Sequence, residues 1–400
     1  MTPLVDPLLS GPIGLQEILV VVFKVVVAFA FLMVAVMFMV WFERKLIGDM
    51  QNRIGPNRAG PWGILQTLAD GVKLFFKEDL LPDNADRFVF KLAPYLALIP
   101  AFLIFTVVPV GGNYSTGDGT VSLFGEETLL QVADPPVGVL FVLAMSSVAV
   151  YGVMLAGWSS GSKYPLLGSV RATAQMISYE AALSLSVLSV ILLSGTLSTS
   201  GIVAEQSQWN WNLWLTGFIP FAIFLISGTA ELNRPPFDLV EAEQELVGGF
   251  HTEYSAVRFA LFFLAEFMNT VTMSAIIVTL FLGGPNGPMF GPEWLQSWVL
   301  PSLWFFLKLF VFLFVFVWFR ATLPRFRYDQ LMDMGWKLLI PAALGWFLIL
   351  AGIQVASDND DINLALVVIV GVAIFFAGMG LLMLAMRSSR RQRQLSGVTD

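Results

Sequence analysis

LWLTGFIPFAIFLISGTAELNRPPFDLVEAEQELVGGFHTEYSAVRFALFFLAEF, residues 213–267, sets an acid-rich segment between two apolar runs. The runs LWLTGFIPFAIFLIS (213–227) and FALFFLAEF (259–267) lack the strict apolar–polar alternation of a membrane β-barrel strand, so each reads as helix. Between them stand six carboxylates: Glu231, Asp238, Glu241, Glu243, Glu245 and Glu253. A chain built for lipid gathers so many acids in one loop only for a reason, and that reason is sought first in topology.

The 400 residues are 56% hydrophobic and 13% charged. That charged share is roughly half that of a soluble domain. Apolar runs long enough to cross a bilayer recur along the chain. Nine are expected, at about 15–42, 88–110, 137–157, 172–197, 213–231, 258–284, 300–322, 337–356 and 362–386, giving an all-α integral membrane protein in one domain, 1–400. The first run measures roughly 40 Å as a helix, too long for a cleavable signal, and should tilt or project.

Of the 22 Lys and Arg residues, Lys24 and Lys308 fall inside apolar runs. With nine spans the others share one side: Arg44, Lys45, Arg53 and Arg58 in the first loop, Lys163 and Arg171 in the second, Arg234 and Arg258 around the third, Arg320 to Lys337 around the fourth, and the RSSRRQRQ tail (387–394). The opposite loops carry acids only, such as Asp118, Glu126, Glu127 and Glu205. The positive-inside rule puts the N-terminus outside and the C-terminus and the acid-rich loop in the cytoplasm.

Several functions are excluded for this chain. It has no cysteine and one histidine, His251, so iron–sulfur ligation by thiolates is impossible and no metal site is expected. Neither GxxxxGK[ST] nor a strand-borne GxGxxG occurs. The net charge of −7 with a basic inner face speaks for membrane topology and not for nucleic acid.

The inner loops carry the chemistry. In the first, 43–87, Pro61 is placed to start a helix, and Trp62, Leu65, Leu68, Ala69, Val72, Phe75 and Phe76 recur at helical spacing, an amphipathic surface helix. It serves either as an interfacial anchor or as the wall of a crevice for an amphiphile. Glu180, Glu266, Lys24 and Lys308 each lie about 12–13 Å from a span end, near the middle of the bilayer, where a charge costs roughly 2.5–3.5 kcal/mol. A salt bridge such as Lys308 with Glu266 is one reading, a proton relay the other. In the loop 232–257, Asp238, Glu241 and Glu245 share a helix face. Apolar neighbours, Phe250 among them, crowd these acids, and partly desolvated carboxylates share protons. RPP at 234–236 breaks the chain before this segment and GG at 248–249 loosens it after.

Three stretches, ERK (43–45) with RIGPNRAGPWG (53–63) and LADGVKLFFKED (68–79), then GTAELNRPPFDLVEAEQELVGGFHTEYS (228–255), then RATLPRFRYDQLMDMGWK (320–337), closely resemble the H subunits of bacterial proton-translocating NADH:quinone oxidoreductase, respiratory complex I, and their mitochondrially encoded equivalent. The resemblance runs from the first span to the eighth; the ninth span and basic tail, 362–400, look like an extension. It implies a multi-pass component of the bacterial cytoplasmic membrane joining the membrane arm to the peripheral arm. Its first, sixth and seventh spans and its surface helix would form the quinone passage. Glu43, Arg44, Arg53, Arg58, Trp62, Arg234, Asp238, Phe250, Arg320 and Arg325 are implied as the passage lining. Tyr179, Glu180, Glu231, Glu241, Glu243, Glu245, Glu253, Glu266 and Lys308 are implied as the proton route. Quinone would be the substrate, with NADH, FMN and iron–sulfur clusters held by peripheral-arm partner subunits and other membrane subunits alongside. Two alternatives stand beside it: the membrane subunit of a related hydrogenase or ferredoxin-linked complex, and a proton-coupled transporter.

Overall fold

The computed structural model describes residues 6–9, 14–115, 117–238, 247–358 and 364–395. The architecture is all-α. The long helices are α1 (Leu15–Met50), α3 (Arg87–Phe105), α4 (Gly138–Ser159), α5 (Lys163–Ser194), α9 (Ala256–Phe281), α10 (Leu300–Thr322), α12 (Ile340–Asp358) and α13 (Leu364–Leu395). Between them lie α2 (Gln66–Phe76), α6 (Thr199–Glu205), α7 (Asn212–Leu215), α8 (Ile219–Glu231) and α11 (Tyr328–Met334). π-Helical turns at Leu295–Val299 and Gly335–Leu339 lead into α10 and α12.

Eight of the nine expected spans are long and apolar enough to cross a membrane, and the fifth is the exception. There the run breaks at Gly217 and Phe218, both at positive φ, and Pro220 opens a new helix. The resulting α8 has 13 residues, about 20 Å of rise, and ends at Glu231. The acid is thus carried into the bundle on a short helix.

α9 is the central element. Two-thirds of its apolar window is buried, against none of the window Val367–Met386 of α13. The main core unites α9 with α1, α5, α8 and α10 through Leu32, Met39, Leu183, Phe224, Met268, Ile277 and Phe305. The last helix lies outside that core and packs on α12, where Phe375 meets the Trp346 ring edge-on at 5.3 Å.

At one end of the bundle a two-stranded antiparallel hairpin, β1 (Thr120–Leu123) and β2 (Glu126–Leu129), turns through Phe124 and Gly125, both at positive φ. It stands beside α1: Phe23 meets Phe124 edge-on at 5.4 Å, and Gln16 Nε2 donates to the Phe124 carbonyl at 3.0 Å. Lys24 pairs with Asp6 at 3.1 Å and donates to Thr128 Oγ1. Lys24 is thus level with the hairpin, on a helix of 36 residues, about 54 Å, which exceeds the roughly 30 Å hydrocarbon core.

The opposite end carries the basic loops. There the surface helix starts at Gln66, five residues after the expected Pro61, because Gly60, Trp62 and Gly63 all take positive φ. Only glycine fits at 63, where a Cβ would stand 2.4 Å from the Pro56 carbonyl carbon.

Candidate functional site

At the loop end, Glu43 of α1 is buried and accepts from two arginines. Arg234, in the chain leaving α8, reaches it at 2.8 Å, and Arg320, near the end of α10, bonds its other oxygen. Arg234 also pairs with Glu266 of α9 through Nε at 3.0 Å and lies over the Phe267 ring, 4.3 Å from its centre. Helices α1, α9 and α10 and the chain after α8 are therefore tied at one cluster of alternating charge, buried at Glu43 and Arg234. Gln175 of α5 fixes the Arg-Pro-Pro turn, donating to the carbonyls of Ala230 at 2.8 Å and Phe237 at 2.9 Å. Asp238, itself buried, pairs with Arg325 at 3.1 Å.

Beside the cluster a cavity of about 480 Å³ is lined by Glu43, Arg44, Arg53, Phe263, Phe267 and Arg320 among others. Arg44 also grips Asp70 of α2 at 2.6 Å. Burial works against the charge of Asp70, but hydrogen bonds from Arg44 and Gln66 prevail and hold its carboxyl below the usual carboxylate range. Trp62, Phe75 and Phe76 stand exposed on this amphipathic element. Arg53 bonds Gln51 at 2.7 Å and Arg58 is exposed on the same loop.

A second group lies deeper. Glu231 is bonded by Ser146 Oγ and Glu180 by Ser147 Oγ, so adjacent serines of α4 hold an acid each. The other oxygen of Glu231 is buried without a hydrogen bond among the described residues. Glu231, Glu266, Asn269, Phe250 and His251 line a cavity of about 70 Å³, room for a few waters. Burial pushes His251 below the ordinary imidazole value, against a backbone hydrogen bond and the charge of Asp238, which pull the other way. Ser146, Ser147, Gln175, Asn269 and His251 carry no sequence signal that marks them for this site. Serine pairs and lone amides recur in apolar helices as backbone-bonded residues, and only the packing of α4, α5, α8, α9 and the turn before α9 brings these to the two acids and the Arg-Pro-Pro turn.

The remaining sequence-derived residues sit as follows. Tyr179 is fully buried and donates to the Leu331 carbonyl at 2.9 Å, packing on Phe237. Glu253 stands in the turn before α9. Glu241, Glu243 and Glu245 lie outside the described residues. Lys308 does not pair with Glu266. Its ammonium donates to the carbonyls of Leu282, Gly284 and Asn286 at 2.7, 3.0 and 2.6 Å, and lies 5.0 Å from the Trp211 ring centre. Those carbonyls follow the end of α9, and the first of them stands about 24 Å beyond Glu266, which explains why the expected bridge does not form. Lys308→Met should orphan these acceptors and cost about 1–3 kcal/mol. The expected result is a lower melting temperature of the assembled protein with unchanged proton yield; unchanged stability with a lower proton yield would instead make Lys308 a relay.

Comparison with known proteins supports the resemblance. The NADH dehydrogenase family model matches residues 23–351. The chain is 52% identical over 379 residues to the NADH-quinone oxidoreductase H subunit of Frankia alni, covering 93% of this chain and 82% of that one. It is 51% identical to the H subunit of Frankia casuarinae over 381 residues, covering 94% and 81%, and 49% identical to that of Streptomyces avermitilis over 360 residues, covering 88% and 78%. The chain belongs to the NADH dehydrogenase family as an H subunit of NADH-quinone oxidoreductase, a multi-pass membrane component of that oxidoreductase complex.

Proposed function

We propose that this subunit admits quinone from the bilayer through the cavity beside Glu43 and Arg320, and passes the charge change of its reduction to Glu231 and Glu180. The observation that carries the reading is the ladder Arg320–Glu43–Arg234–Glu266, buried at Glu43 and Arg234. It begins at the cavity beside the surface helix and ends at the water-sized space facing Glu231. Aromatic rings at Trp62, Phe75 and Phe76 stand exposed and offer an amphiphile a surface on the segment that Arg44 ties to α1 through Asp70, and Phe263 and Phe267 line the cavity. The arginines face the carbonyl oxygens of a quinone headgroup with fixed donors.

In this reading NADH, flavin and iron–sulfur clusters are held by peripheral-arm subunits docked on the loop end. Other membrane subunits flank the bundle, in the bacterial cytoplasmic membrane with the C-terminus inside. Asp238 and Glu253, with Glu241, Glu243 and Glu245, belong to the acid-rich loop sequence that the family resemblance assigns to the passage and the proton route. A photoreactive quinone analogue should label residues 43–76 or 320–328 of the assembled complex. Label confined to residues 113–134, at the hairpin end, would overturn the passage.

A further inference from the structure

Glu231 stands at the junction of two cavities. The first, already described, opens among Glu266, His251, Asn233 and Asn269 toward the loop end. The second, about 40 Å³, shares Glu231, Asn269, Ala149, Met176 and Leu232 with it and runs the other way. Its further walls are apolar: Leu143 and Val139 on α4, Leu183 and Val187 on α5, Phe224 on α8, Met273 and Ile276 on α9. At its far end is Thr199, whose hydroxyl donates to the Val107 carbonyl at 2.6 Å and stands 3.5 Å from Asp134. Asp134 also accepts from Ser198 and Ser200. A carboxylate thus lies at each end, and an apolar chamber separates them over about 10 Å of α4, from Ser146 to Val139.

We infer that this chamber is a dry seal, which keeps a proton on Glu231 from crossing to the hairpin end. The inference rests on Glu231 being a relay. A space this size admits water by volume, yet a cavity walled by Leu, Val, Ile and Phe stays empty, because water there finds too few hydrogen-bond partners. Without water no chain of hydrogen bonds joins Glu231 to Thr199. Glu231 and Asn269 stand at the inner end and face the first cavity as well, and the polar groups further along the chamber are already engaged: Ser146 with Glu231, Thr199 with Val107, and Thr272 Oγ1 with the Ala101 carbonyl at 3.4 Å. One added polar side chain at mid-height supplies the missing partner. The chamber then wets, and the carboxylates at its two ends become the terminals of a leak.

The test uses the whole complex in liposomes and two readouts: passive proton conductance under an imposed pH gradient without NADH, and protons moved per NADH oxidised. Leu143→Asn, close in size to the original, should raise passive conductance several-fold and lower the proton yield while quinone reduction continues. Ile276→Thr, on a different helix and milder for folding, should do the same. Leu143→Met, which keeps the wall apolar, should match the unmodified complex. Adding Glu231→Gln to Leu143→Asn should abolish the leak, since its inner terminal no longer titrates. Wild-type conductance and yield in an assembled Ile276→Thr complex would overturn the seal. A leak that survives Glu231→Gln would overturn its connection to that acid. Because conductance is read without quinone reduction, the proposed coupling can fail while the seal stands, and the reverse.

Discussion

Arg234→Met should remove most of the assembled complex from the membrane. Arg234 is 3% exposed and holds two carboxylates, Glu43 and Glu266, while its guanidinium covers Phe267. The substitution keeps the bulk of the side chain and deletes the charge. Glu43 then keeps only Arg320 as its counterion, and Glu266 loses Arg234. Breaking a buried pair by removing one partner costs about 3–5 kcal/mol, because a buried charge that loses a counterion gains little water in its place. That is a large part of the roughly 5–15 kcal/mol that holds an ordinary domain together. Arg234→Lys should be intermediate, since a single ammonium lacks the planar fork that serves two carboxylates at once. Combining Glu43→Gln with Arg234→Met should recover assembly in part, by removing one of the stranded charges. The check is the amount of intact complex in detergent extracts, read by its NADH-oxidising activity in native gels. Wild-type amounts of Arg234→Met complex would show that the cluster does not hold the helices together.

Fold and site differ in how far the sequence makes them legible. The spans and the basic side follow from hydropathy and charge, which act through lipid and need no partner to be read. The breaks in the pattern are harder. α8 is cut short at Gly217 and Phe218 within a run that averages as apolar, so its length is hidden in composition. Lys308 and Glu266 look like a pair when distance from the helix ends is the only coordinate. Their helices bring them to different heights, and Lys308 caps the end of α9 instead. The arginine–glutamate ladder has its members at 43, 234, 266 and 320, and no spacing rule links positions so far apart. The resemblance to a known family names Glu43, Arg234 and Arg320 as neighbours of one passage; their mutual ion pairing, and the role of Ser146 and Ser147, come only from the packing of helices.

Glu231→Gln should leave the complex assembled and uncouple it. The amide matches the carboxylate in size, and its oxygen still accepts from Ser146 Oγ, which bonds Glu231 now. The substituted position keeps its place between the two cavities but no longer gains or loses a proton. The electrostatic step that would act on it is modest: a unit charge arising 10 Å away is worth about 1.7 kcal/mol at an effective dielectric near 20. That is about 1.2 pKa units, enough to change occupancy at a group poised to titrate and too little to move charge across a membrane alone. A relay therefore needs each of its members, and loss of one should lower quinone-coupled proton transfer by about tenfold or more, at or below the usual effect of a positioned acid–base group. Glu180→Gln, held by the neighbouring Ser147, should behave alike, and the double variant should be little worse than either single one if both stand in one series. Glu126→Gln on the hairpin changes the same net charge at the far end of the molecule and should do nothing. Proton uptake and quinone reduction in liposomes measure both arms together. Normal proton yield in an assembled Glu231→Gln complex would take Glu231 out of the route. Proton yield lost in Glu126→Gln as well would mean that net charge, and not position, governs the result.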